Sequence, residues 1–205
     1  MDDVLGQLYA NGAIDKAFER FFSLGLAGFV FVPLFGVLLI QPYHDLALVP
    51  VAVRCKSREE ILFRYIAASL RRSAFFSFAL CVSALPPLLM AGEIWQATIS
   101  YTLLEFVELC GFFSVCALAF YLVSLLAKRA GLVAGFMIIT IMGVWDFMSM
   151  NVAGGGLPYL GWSLALLQYP VSVYDAISSL SWFAFLACLM ILGLSALIRR
   201  YDFVD

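Results

Sequence analysis

The chain has 205 residues, 64% of them hydrophobic and only 13% charged, with a formal net charge of −2. A soluble domain carries about a quarter charged residues and is at most about half apolar. The composition therefore excludes a soluble globular domain and leaves an all-α polytopic membrane protein. Its length suits one bundle of about five or six membrane elements and no separate soluble domain.

Residues 1–20 read as an interfacial helix. Val4, Leu5 and Leu8 form one apolar cluster, Ile14, Ala17 and Phe18 another, and Asn11-Gly12 offers a break between them. No cleavable signal is expected, because Asp2 and Asp3 stand where a positive start belongs. Phe21–Ile40 is the first long apolar run, and 21–53 forms a span plus a short apolar piece, Leu46–Val53, that is too brief to cross alone. Either the first segment runs inward, or it runs outward and Leu46–Val53 returns as a buried half-span. Lys16 and Arg20 lean toward the second arrangement.

Residues 54–72 hold six of the twelve Lys and Arg residues, Arg54, Lys56, Arg58, Arg64, Arg71 and Arg72. Ser57 and Glu60 have the spacing of a capping box. Ile61, Tyr65 and Ala68 share one helical face, with Glu60, Arg64 and Arg71 on the other. This pattern predicts an amphipathic basic helix lying flat at the cytoplasmic surface and feeding the next span, or a charge anchor that only sets topology.

Residues 73–91 form the next span, with Pro86-Pro87 bending or ending it. Residues 92–105 carry no basic residue and read as external, 106–127 returns to Lys128-Arg129, and 131–150 leads out again. Gly131 and Gly135 have the small-xxx-small spacing of close helix approach. Residues 151–177 contain Gly154-Gly155-Gly156, Pro158, Gly161 and Pro170 and read as an outer re-entrant hairpin. The last span, 178–198, ends on Arg199-Arg200, and this threading puts every Lys and Arg inside.

The catalytic inventory is thin. There is no P-loop, one histidine (His44), and five cysteines without a Cys-x-x-Cys pair, so neither catalysis nor a metal site nor a cofactor is expected. The acids carry more. Glu105 and Glu108 are one turn apart and fall near the outer boundary, which predicts an electronegative outer vestibule. Asp146 falls at hydrocarbon depth, where an ionisable group marks a substrate pathway or a structural hydrogen bond.

The run Val53-Arg54-Cys55-Lys56-Ser57-Arg58, opening a helix that reaches Leu70-Arg71-Arg72-Ser73, resembles the small permease subunits of ABC-2-type exporters. The layout is similar: an interfacial first helix, a cytoplasmic helix before a span, and a hairpin before the last span. The resemblance implies export of a peptide, antibiotic or lipid-like cargo across a bacterial cytoplasmic membrane. A separate ABC ATPase would dock on 54–72 through Arg54, Lys56, Ser57, Arg58, Glu60 and Arg64. The chain would pair with itself or with a sister permease among membrane lipids, without nucleic acid. A non-transporting scaffold, assembly or immunity protein that binds peptide or lipid fits the same composition.

Overall fold

The structure, a computed structural model, describes residues 26–47, 57–90, 95–127, 130–151 and 173–200, and all its regular elements there are helical. A π-helical turn, Ala27–Phe31, leads into α1 (Val32–Ala47). Then come α2 (Arg58–Met90), α3 (Trp95–Leu126), α4 (Gly131–Asn151) and α5 (Val173–Arg200). Three stretches are long and apolar enough to cross a membrane: Arg58–Pro86, Thr102–Leu126 and Ile177–Arg199. Gly28–Gln41 and Gly131–Trp145 are shorter apolar helices.

The α3 helix is the axis of the bundle. Leu109, Phe112, Phe113, Cys116, Phe120 and Tyr121 are all buried along it. Phe113 meets Phe35 of α1 at 4.7 Å and Phe76 of α2 at 4.8 Å between ring centroids, and Phe35 meets Phe76 at 5.3 Å. Three helices thus interlock through one aromatic cluster, where offset and tilted ring pairs are favoured. The exposed apolar side chains, such as Phe63, Phe75 and Phe78 on α2 and Phe185, Leu189 and Leu192 on α5, suit a lipid solvent.

Contacts fix helix direction. Tyr65 stacks near Tyr121, and Cys81 lies against the Thr102 carbonyl, so α2 runs antiparallel to α3. Gly111 packs on Phe183 and Gly193 on Leu122, so α5 runs parallel to α3. Tyr43 donates to the Ser124 carbonyl at 3.4 Å while Phe35 meets Phe113, so α1 is also parallel to α3. Of the two arrangements open for the first segment, this favours the inward run whenever α3 and α5 run inward. The helix continues through Gln41-Pro42 to Ala47, and only residues 48–53 of the expected half-span lie outside the described residues.

The α3–α4 turn is short. Ala127 N–H bonds the Val123 carbonyl and Ala130 N–H the Ala127 carbonyl, so α4 folds straight back on α3. A Cβ on Gly131 or Gly135 would collide with Ser124, and one on Gly135 would come 2.9 Å from the Phe120 carbonyl, so the small-xxx-small pair is the contact face. At the other end of α4, Gly28 and Gly143 cross backbone to backbone. A Cβ on Gly28 would come 2.8 Å from the Gly143 carbonyl oxygen. Because α4 is antiparallel and α5 parallel to α3, the end of α4 and the start of α5 lie at the same end of the bundle. The expected re-entrant hairpin and the N-terminal interfacial helix fall outside the described residues.

Three boundaries differ from expectation. The basic stretch is not a separate flat helix, because α2 runs unbroken from Arg58 to Met90. No Gly or Pro separates Leu70 from Ser73, and the buried stripe Tyr65, Ser69, Ser73, Ser77, Cys81 crosses that junction at four-residue spacing. One face therefore packs on α3 on both sides of it. The Pro86-Pro87 pair does not stop α2, which ends three residues later. Finally, α3 begins at Trp95, so most of the expected external segment 92–105 is helical.

Candidate functional site

Two polar regions stand out, one at each end of the α2–α3 pair. The lower one begins at the α2 N-terminus. Glu60 N–H donates to Ser57 Oγ at 3.2 Å, which satisfies one of the orphan donors of the first turn. The Glu60 carboxylate also accepts, through Oε1, from Arg64 Nη2 at 2.8 Å. Arg58 Nη1 donates to the carbonyl of Arg199, tying the start of α2 to the end of α5. A cation at a helix C-terminus is favoured by the carbonyls exposed there. Arg54 and Lys56 lie outside the described residues.

Arg58 and Arg64 were both expected to contact an ATPase. Each is engaged within the chain, although Arg64 keeps 44% of its side-chain surface. An exposed i,i+4 pair of this kind contributes little, about 0.3–0.5 kcal/mol, so Arg64 is readily given up to a partner. Arg58 is different, since its release would leave the α5 terminus without its donor.

The upper region is built on Glu105 and Glu108. Both are buried, at 2% and 1% exposure, and point from α3 toward the bundle interior. They are covered by neighbouring helices rather than exposed, and α3 extends about 15 Å beyond Glu105 toward its N-terminus, at 1.5 Å per residue. The continuous apolar pattern Leu103, Leu104, Phe106, Val107 and Leu109 carries the helix through them. The two carboxyls act on one another, and Cys81 of α2 lies within electrostatic range of Glu105 and Cys110. Ser77 faces Cys110. Glu105 Oε1 is buried without a hydrogen-bond partner.

Other hydroxyls show how a polar group is normally settled here. Ser69 bonds the Tyr65 carbonyl, Ser114 the Cys110 carbonyl and Thr140 the Phe136 carbonyl, each one turn back. Ser73 makes no such bond and Ser77 is turned across the helix pair to the Cys110 thiol, so the α2 stripe presents its hydroxyls to α3 rather than to its own backbone. Neither serine was singled out from the sequence, yet both share the four-residue spacing of Tyr65 and Cys81.

Asp146 lies on α4 in the half of the bundle that holds the acid pair, and the position of its side chain is not described. Among the described residues no three His, Cys, Asp or Glu side chains converge as a metal site would require. The acids and the basic end are not brought together: Arg58 and the Cys81 layer are about 34 Å apart along α2. No family model, curated protein or solved structure matches this chain.

Proposed function

We propose that this chain is the membrane-spanning permease subunit of an ATP-driven exporter, with the basic start of α2 as its ATPase-facing end. The observation carrying the reading is the continuity of α2. One unbroken helix joins the Ser57-capped basic end to the Cys81–Glu105 layer. A push or twist at Arg64 is therefore delivered to the buried acids without a joint to absorb it. Paired buried carboxylates in a membrane bundle are expensive, and such residues default to a role in moving substrate or ions.

In this reading Glu105 and Glu108 contribute to the cargo path, and Asp146 joins them from α4. The cargo is a peptide-like, antibiotic-like or lipid-like amphiphile. The nucleotide is hydrolysed by a separate ABC ATPase, and a second permease, identical or sister, completes the pathway in a bacterial cytoplasmic membrane.

A second reading has one observation in its favour. The internal engagement of Arg58 and Arg64 is what a non-transporting scaffold or immunity protein needs, since its basic end has only to hold its own bundle together. Purification from native membranes in mild detergent separates the two. Co-purification of an ABC ATPase, lost on Arg64→Glu and retained on Arg64→Gln at reduced yield, is the expected result. A chain that emerges alone, with full helicity, sinks the exporter.

A further inference from the structure

The α5 helix sets a depth scale. Its apolar stretch Ile177–Arg199 spans 23 residues, about 34 Å at 1.5 Å per residue, which is one full crossing of a hydrocarbon core of about 30 Å. Arg199 therefore marks one membrane boundary. Arg58 bonds the Arg199 carbonyl, so the start of α2 lies at that same boundary. Arg72 then stands about 21 Å along α2 from that boundary, with Arg71 beside it. Two arginines lie at hydrocarbon depth, where the sequence pattern puts them at the surface.

The two are placed differently. Arg71 is exposed on the outer face of α2, near Leu70 and Phe75. Arg72 is half-buried, and its Nε is buried without a hydrogen-bond partner. Among the described residues no carboxylate pairs with either one. Arg72 also shares a face with Tyr65, two turns earlier, and helix side chains lean toward the N-terminus. Its guanidinium is thus directed down toward the Tyr65–Tyr121 ring pair, whose centroids are 5.0 Å apart. The charged groups acting on Tyr121 are Arg72 first and Arg71 second. The Tyr121 hydroxyl, on a fully buried residue, has no hydrogen-bond partner either.

The Nε of a half-buried arginine and the hydroxyl of a buried phenol, each without a hydrogen-bond partner, together describe an unfilled need. A guanidinium at this depth needs a counter-charge, and a single acceptor-rich anion would serve both donors. Arginine's planar fork matches phosphate oxygens, and a second positive charge at Arg71 suits a phosphate better than a lone carboxylate. We propose that Arg72 and Tyr121, with Arg71 at the entrance, form an intramembrane binding site for a phosphate oxyanion. Entry is sideways, past the exposed Arg71, so a phospholipid head group drawn inward from the bilayer is one source and free phosphate from water is the other. The inference rests on helix register and burial and does not require the chain to transport anything.

The test is native mass spectrometry of the purified full-length chain after delipidation. It is offered phosphatidylglycerol or phosphatidylcholine, and separately inorganic phosphate as a competitor. Both lipids carry a phosphodiester, and phosphatidylglycerol lacks the choline that neutralises it. The parent is expected to retain phosphatidylglycerol at least about tenfold better than phosphatidylcholine. Arg72→Gln should weaken retention about tenfold to a hundredfold, since a charge-assisted hydrogen bond is lost, and Tyr121→Phe by a smaller factor. Arg199→Gln removes an equal charge away from the site and should retain lipid like the parent. Displacement by millimolar phosphate would identify a site open to the free ion; retention against phosphate would assign it to the head group. Equal loss in Arg72→Gln and Arg199→Gln, or no binding of either ligand by the parent, overturns the proposal. If Arg72→Gln does not fold, Tyr121→Phe decides, because it keeps the ring packed on Tyr65; unchanged retention by that variant sinks the site.

Discussion

Glu105 shows how a single residue separates stability from function in this bundle. Its Oε1 is buried without a partner, so the carboxyl is a cost to the fold. Replacing an unsatisfied buried polar group by an apolar one of similar shape removes that cost. Glu105→Met should therefore raise the thermal stability of the detergent-solubilised protein, by about 1–3 kcal/mol. On the exporter reading the same variant loses transport. Glu105→Met melting at or below the parent's temperature would mean that the carboxyl is paired in solution. At the other end, Ser57→Ala removes the acceptor for Glu60 N–H and should cost about 0.5–2 kcal/mol, read as earlier unfolding without loss of the other helices.

Helix pairs are governed by what their closest points can tolerate. The α3–α4 hairpin closes on Gly131 and Gly135 against Ser124 and Phe120, and no larger residue fits without moving a backbone. Gly135→Leu should separate the two helices and cost about 1–3 kcal/mol or more, the usual penalty for overpacking a dense interior. The expected outcome is a lower melting temperature together with proteolysis in the 127–131 turn; resistance equal to the parent's would show that α4 can slide. The same reasoning applies at Gly28 and Gly143, where the π-helical turn brings α1 against α4. The α2 helix is the counter-example. Nothing in it demands a close approach, and its serine stripe leaves polar atoms at the α3 contact that a Leu stripe would have filled.

For the whole molecule, helix direction is the testable quantity. Because α1, α3 and α5 are mutually parallel, the start of α1 and the start of α5 belong on the same side of the membrane. Single cysteines introduced at Phe29 and Asp175 in a cysteine-free background should both react with a membrane-impermeant maleimide from outside intact cells. A cysteine after Arg200 should react only after permeabilisation. Phe29→Cys and Asp175→Cys labelling from opposite sides would break the parallel arrangement. This is also where counting charges met its limit. Lys16 and Arg20 pull toward an inside start, yet α1 packs in the direction opposite to that pull if the Arg199 end is inside.

The sequence alone specifies several helical, largely apolar elements, because few residues are charged and the apolar runs are too long for a soluble core. It also determined the buried face Ile61, Tyr65 and Ala68, the Ser57 cap and the tight α3–α4 turn, since each is a local pattern of a few residues. Only the tertiary structure decided that the basic stretch is the lower part of one long helix. Local spacing describes Arg71 and Arg72 equally well at a surface or at depth; the contact of Arg58 with Arg199, far away in sequence, ties the start of α2 to the end of α5 and leaves Arg72 about 21 Å further along the helix. The same holds for Glu105 and Glu108. Their one-turn spacing was legible, but which neighbour covers them is a property of the α2–α3 pairing, and no local pattern encodes it.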